Sequence, residues 1–289
     1  MTATRARQPK CAILRQPCHF GEWLQGRIGP LGPVALVTLL PDRLNLTAKV
    51  RPSARLLVKT LGTLPTFPVS SLRLMRFLQT LNLPVRGAYE ISLAFPPGLG
   101  TGASTATLIA IARLAGFCGS PAQLARACIA TEGASDPLMY PVSDRLLWAS
   151  RNGTVLRRLP PAPRAHLLTG FVGPALPTDP ADQDYDDISD LVVAWSEAKS
   201  LPDFVALSQE SARRCLARRG PTDDPTDAVA RELGALGWAT SHSGAARALI
   251  FAPGSLPIHG AAALCEAGFY GVQEQSTGGD TGPAHGWIR

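Results

Sequence analysis

Pro96-Pro97-Gly98-Leu99-Gly100-Thr101-Gly102-Ala103-Ser104-Thr105-Ala106 is the stretch on which the reading of this chain turns. Upstream, Tyr89, Ile91, Leu93 and Phe95 alternate with other residues, the period-two mark of a half-buried strand, and Pro96-Pro97 stops it. Downstream, Ser104 to Ala115 puts Leu108, Ile111, Ala112 and Ala115 on one helical stripe. A strand therefore runs through a glycine turn into a helix. Gly98, Gly100 and Gly102 let the backbone turn tightly and approach a ligand without Cβ interference. The helix start offers unpaired N–H groups and the positive end of its dipole, a site suited to phosphate. Ser104 and Thr105 add hydroxyls able to ligate Mg²⁺ or to cap the helix.

Several kinds of loop share this outline. An ordinary glycine turn with Ser104 as N-cap is one. A Walker A loop is excluded, because no Gly-Lys-Ser/Thr follows. Gly98, Gly100 and Ala103 satisfy the dinucleotide pattern G-x-G-x-x-G/A, but another helix follows and the first acid downstream is Glu132. Gly102-Ala103-Ser104-Thr105-Ala106 approximates the nucleophile elbow G-x-S-x-G, with Ala in place of the last Gly.

The rest of the chain narrows the class. Its 289 residues predict two compact units or one large one. With 45% hydrophobic and 17% charged residues it can bury a sizeable core, which excludes global disorder. No uncharged apolar run reaches the roughly 18 residues of a membrane span, and the basic N-terminus has no apolar signal core behind it. A cytoplasmic protein with no membrane partner is expected. The net charge of +6 is scattered and aromatics are only 6%, which favours a small anionic ligand over nucleic acid. The six cysteines form no C-x-x-C pair and read as buried small hydrophobes.

Leu44, Leu46, Ala48 and Val50 alternate as a strand, Ser71 to Leu81 has helical spacing, and Ser120-Pro121 starts a third helix. The Pro-rich stretch Leu159-Pro160-Pro161-Ala162-Pro163 breaks the chain. Beyond it come a strand near Leu167, helices near 188–199, 204–217 and 227–236, and strands near 246–251 and 269–274. The mixture predicts an α+β protein, divided into residues 1–158 and 159–289.

The loop Pro96-x-x-x-Gly100-Thr101-Gly102-Ala103-Ser104-Thr105-Ala106 is similar to P-x-x-x-G-L-G-S-S-A-A, the phosphate loop of the GHMP small-molecule kinases. Thr101 stands for Leu and Ala103 for the first Ser, while the Mg²⁺-ligating Ser is kept as Ser104. Cys18-His19-Phe20-Gly21-Glu22-Trp23-Leu24-Gln25-Gly26 resembles the G-E-x-x-Q-G motif of the L-threonine kinases of cobalamin synthesis. Ser241-His242-Ser243-Gly244 resembles their A-H-S-G motif, and Asp136-Pro137-Leu138-Met139-Tyr140-Pro141 the second half of their E-P-T-D stretch. Glu132 is displaced by one residue from that pattern.

The resemblance implies a two-domain fold with the site in the cleft, ATP and Mg²⁺ as cofactors, and a small alcohol or amino acid as acceptor. Pro96, Gly98 and the run Gly100, Thr101, Gly102, Ala103, Ser104 and Thr105 would hold the nucleotide. Ser104 and Glu132 would hold the metal, and Asp136 would orient or deprotonate the hydroxyl. Gly21, Glu22, Gln25, Ser243 and Gly244 would contact the acceptor. From the residues alone, Glu132 and Asp136 could be a solvated loop pair, Glu22 a surface acid, and His242 a general base or a satisfied turn histidine. Trp23 reads as core. Thr277-Gly278-Gly279-Asp280 could be a second polar turn or a frayed tail. The rivals are a homoserine-type kinase, a serine hydrolase using Ser104, and a nucleotide sensor without turnover.

Overall fold

A computed structural model of the chain describes residues 11–62, 67–242, 244–277 and 287–288. The first sheet has five strands in the order β13-β1-β4-β6-β5: β1 (Ala12–Pro17), β4 (Asn45–Arg51), β5 (Leu56–Thr60), β6 (Gly87–Ser92) and β13 (Trp287–Ile288). The alternation of Leu46, Ala48 and Val50 is kept in β4, where those three are buried. β6 stops at Ser92, short of the expected Phe95. Phe95 leaves the ladder to pack edge-on against Phe171, with ring centroids 4.7 Å apart.

The second sheet has eight strands in the order β12-β9-β11-β10-β2-β3-β7-β8. β2 (Glu22–Arg27), β3 (Val34–Thr38), β7 (Leu146–Ala149) and β8 (Thr154–Arg158) precede the proline stretch. β9 (Ala165–Phe171), β10 (Gly237–Thr240), β11 (Ala246–Phe251) and β12 (Tyr270–Thr277) follow it. The two groups join at β10 and β2 through one register pair, Thr240 opposite Glu22.

Helices α1 (Ser71–Thr80), α2 (Ala103–Leu114) and α3 (Pro121–Glu132) belong to the first part of the chain. α4 (Ser189–Glu197), α5 (Leu201–Arg219), α6 (Thr226–Glu232) and α7 (Gly260–Glu266) belong to the second. α2 packs on β1 and β4 and is flanked by α1 and α3. It is therefore buried on nearly every side, not on one stripe; Ser104 and Arg113 are its only residues outside the buried set. α3 starts with the Ser120 capping box, its hydroxyl accepting from the Gln123 amide. α5 lies across both β2 and β10 and so bridges the seam. The larger of two cores runs through both parts of the chain, with Trp23 edge-on to Trp195 inside it, and a smaller one around Leu168, Trp238 and Phe251 lies in the second part. Among the described residues no helix is long and apolar enough to cross a membrane.

Candidate active site

The glycine turn opens α2 with its amides free. Gly102 is the N-cap in a left-handed conformation, φ 66°, and offers no side chain. Ser104 is therefore not the cap; it sits one residue inside the helix. Four successive carbonyls of the turn are taken by amides of other segments. Leu176 donates to Gly98 at 2.8 Å, Ala246 to Leu99 at 3.0 Å, Gly21 to Gly100 at 3.1 Å and His19 to Thr101 at 3.2 Å. Among the described residues no group accepts from the amides of Gly102, Ala103, Ser104 or Thr105. With its carbonyls turned into the protein, the loop leaves its donors for an anion. Glycine is required sterically as well. A Cβ on Gly100 would lie 2.3 Å from that of Ser241, and one on Gly102 2.4 Å from the ring of His19.

The Ser104 hydroxyl lies 2.5 Å from both carboxylate oxygens of Glu132, the last residue of α3. Burial raises the Glu132 pKa against the pull of that bond and of Arg73. Among the described residues no histidine bonds Ser104, so the Ser–His pair of a hydrolase is not formed.

Asp136 stands in the turn that follows. Its amide donates to Thr105 Oγ1 at 3.3 Å. Ser135 fixes the turn, its amide donating to Ser150 at 2.9 Å and its carbonyl accepting from the Trp148 indole at 2.7 Å. The Asp136 side chain is 20% exposed, open to the cavity, and its Oδ2 lies 3.4 Å from His19 Nε2. His19 Nδ1 lies 3.2 Å from the Gly21 carbonyl and 3.8 Å from Glu22 Oε1. A carbonyl and a carboxylate both only accept, so an imidazole serving both carries two protons. Burial works against that charge, but Asp136 and then Glu22 push the His19 pKa up to about 9. Burial likewise opposes charge on Asp136, yet His19 outweighs it and holds the carboxyl below its ordinary range. Glu22 is pushed up to about 8 by its own burial. The cluster thus holds one cation, one anion and a largely protonated acid near neutral pH.

Loop, Ser104, Glu132 and Asp136 line one cavity of about 390 Å³, within the ordinary range of small-ligand sites. The sequence matches no protein-family model and no curated protein. Solved structures do match. Homoserine kinase from Cytophaga hutchinsonii aligns with a TM-score of 0.58 at 16% identity, over 100% of this chain and 99% of its own. Mevalonate kinase from Methanococcus jannaschii aligns at 0.64 and 12%, over 95% and 100%. L. major mevalonate kinase in complex with R-mevalonate aligns at 0.61 and 12%, over 97% and 99%. The chain has the GHMP-kinase fold.

Within this GHMP fold the expected site residues divide. Gly98, the run Gly100 to Thr105, Glu132, Asp136 and Glu22 all line the cavity. Pro97 lines it and Pro96 does not. Gly21, Gln25 and Gly244 stand behind the lining. Gly21 is bonded to Gly100, and Gln25 Nε2 donates to the Thr240 carbonyl at 3.0 Å. Gly244 presses on the glycine turn, where a Cβ would come within 2.5 Å of the Gly100 nitrogen. Ser243, and Gly278 to Asp280 of the late glycine stretch, lie outside the described residues. Three charged or titratable lining residues have no role in the expected site: His19, Arg73 and Arg151. His19 had a signal, since it falls inside the quoted Cys18 to Gly26 motif. Arg73 and Arg151 had none. His242 lines the cavity and is not the satisfied turn histidine that was one of its two alternatives. Its ring nitrogens have no partner among the described residues, and burial, with Arg151 and Arg219, holds its pKa well below the usual value.

Proposed function

We propose that this protein is an ATP-dependent small-molecule kinase, transferring the γ-phosphoryl group of ATP to a side-chain hydroxyl. The observation that carries the reading is the Ser104–Glu132 pair beside unpaired helix amides, in the same cavity as Asp136. The donors fit the implied groups: free amides suit phosphate oxygens, and a hydroxyl with a carboxylate suits a hard cation. Ser104 and Glu132 would hold Mg²⁺, which when bound neutralises charge on the phosphate oxygens. Arg73, close enough to Glu132 to favour its charge, adds a second cation at that end.

The acceptor oxygen forms a bond to the γ-phosphorus as the bond from that phosphorus to the bridging oxygen of ADP breaks. The hydroxyl proton passes to Asp136. Held ionised by His19, Asp136 is a weak base but a well-fixed acceptor, which suits a loose transition state in which positioning dominates. The best-matched acceptor is L-threonine, giving O-phospho-L-threonine for cobalamin synthesis. Two of the three motifs that carry that resemblance meet at the seam, where Glu22 Oε2 accepts the His242 amide at 2.6 Å.

ATP with Mg²⁺ at about 100 times its Kd should stabilise the fold by about 2.7 kcal/mol, a rise of several degrees in Tm. NADH should leave Tm unchanged. A panel of small alcohols assayed for ATP consumption then tests turnover. No Tm rise with millimolar ATP, or a rise with NADH alone, overturns the reading.

Ser104→Ala should lower kcat roughly 10- to 1,000-fold, the scale of one fixed electrostatic contact. Stability should change little, because Gly102 and not Ser104 is the cap. Glu132→Gln should give a defect that added Mg²⁺ partly relieves. A fluorophosphonate that labels Ser104 covalently would favour the hydrolase instead.

A further inference from the structure

The cavity is lined by two guanidinium groups among the described residues, and they have different surroundings. Arg73 stands by Glu132, at the phosphate end. Arg151 stands in the turn after β7, next to Ser150, whose carbonyl takes the Ser135 amide beside Asp136. It is therefore tied to the end where the hydroxyl reacts. Arg151 Nη1 donates to Ser150 Oγ at 2.9 Å and Nη2 to the Asp179 carbonyl at 3.4 Å. Its Nε is buried and has no partner among the described residues. Among the described residues no carboxylate comes within ion-pairing distance of it either. The arginines of α5 are treated otherwise: Arg214 pairs with Asp190, Arg218 with Asp184 and Asp186, and Arg219 with Asp182.

A second observation points the same way. His242 is 5% exposed and lines the cavity, and neither ring nitrogen is bonded among the described residues. The ring is not loose. It stacks on Tyr185 with centroids 4.2 Å apart and planes 6° from parallel, and Tyr185 carries the Arg219 guanidinium 4.0 Å above its ring. The His242 amide is fixed on Glu22. A held, buried imidazole with both bonds unmade is costly unless a ligand makes them. Leu36, also in the lining, offers an apolar wall for a short aliphatic chain.

We infer that Arg151 and His242 form the subsite for the non-reacting, carboxylate-bearing end of the acceptor. The guanidinium takes the carboxylate and the imidazole takes the amino or hydroxyl group beside it. A guanidinium is the planar, permanently charged donor that carboxylates match. The inference rests on the kinase reading, and the experiment separates the two.

L-threonine, L-homoserine and D-glycerate would each be compared with their carboxamides as acceptors, in wild type, Arg151→Gln, Arg151→Lys and His242→Phe. Wild type should prefer at least one free acid over its amide in kcat/KM. In Arg151→Gln that preference should shrink by roughly 10- to 100-fold, the scale of one charge-assisted hydrogen bond, chiefly through KM. Arg151→Lys keeps the charge and should retain part of it. His242→Phe keeps the stack on Tyr185 and should raise acceptor KM more than it lowers kcat. Calorimetric binding of the same pairs, with a non-hydrolysable ATP analogue present, reads the subsite without turnover. Turnover with equal use of acid and amide, or an undiminished preference in Arg151→Gln, overturns the subsite and leaves the kinase standing. Arg151-dependent binding of acids without any turnover overturns the kinase and leaves the subsite. Neither binding nor turnover with any acceptor overturns both.

Discussion

Asp136→Asn should lower kcat by roughly 10²- to 10⁴-fold, the contribution of a positioned proton acceptor. Asn keeps the size and polarity of the side chain and removes its charge. A group that acts on the acceptor hydroxyl is felt in the transition state, so the KM for ATP should move little. Added Mg²⁺ should not relieve the defect, in contrast to Glu132→Gln. The stability effect has a definite sign. The Asp136 carboxyl sits below its ordinary value of 3.8, so its contribution is present above that pH and is lost as pH falls through its native value. The Tm gap between wild type and Asp136→Asn should therefore be full at pH 7 and narrow below about pH 4. Near-normal turnover on the best acceptor would remove Asp136 from the reaction.

What could be read from the residues alone follows the range of the interactions involved. The glycine turn, the Ser120 capping box and the helix Ser71–Thr80 depend on neighbours a few residues apart, and those were legible. β2 and β3 carry no strand signal in the sequence. They are buried at almost every position, on both faces, so they lack the alternation that marks a half-buried strand. The capping role expected of Ser104 went to Gly102, because only a glycine fits a left-handed cap pressed against His19. That freed the Ser104 hydroxyl for Glu132. Strand β6 ended early because Phe95 found aromatic partners in Phe20 and Phe171, the latter on a strand far along the chain. Asp136 is marked by its local Asp-Pro motif and His19 lies inside the Cys18 to Gly26 motif, but nothing local pairs the two. Their pairing depends on β2 bringing the Gly21 turn against the glycine loop, a contact between distant segments. For the same reason Arg151 left no mark: an arginine in a surface turn looks like any other until the fold turns it into a cavity.

His19 should prove to be the positioning residue of the site, and its loss should be felt in stability as well as in rate. His19→Leu removes the cation and leaves Asp136 without its counter-charge, in a pair whose side chains are 3% and 20% exposed. Breaking a pair of this kind costs about 3–5 kcal/mol, which lowers Tm by roughly 6–20 °C in a chain of this size. His19→Gln keeps a donor for one neighbour and should recover part of the stability, but not the charge. The pH profile distinguishes a positioning role from simple packing. His19 is raised from 6.5 to about 9, so its contribution is complete below pH 6.5 and is lost as pH rises through about 9. Glu22 is raised from 4.5 to about 8, so its contribution also declines with rising pH. Wild type should lose stability and kcat between about pH 7 and 9, as the imidazolium gives up its proton and Asp136 loses its clamp. In both His19 variants the kcat loss on approaching pH 9 should be absent, because the imidazolium that clamps Asp136 is gone; the Glu22 titration remains and is read in Tm. His242 does not supply such a limb, because its burial, with Arg151 and Arg219, already holds the imidazole neutral. If His19→Gln keeps both the wild-type rate and the alkaline fall in kcat, the histidine does not hold Asp136, and the carboxylate must be oriented by the Thr105 hydroxyl instead.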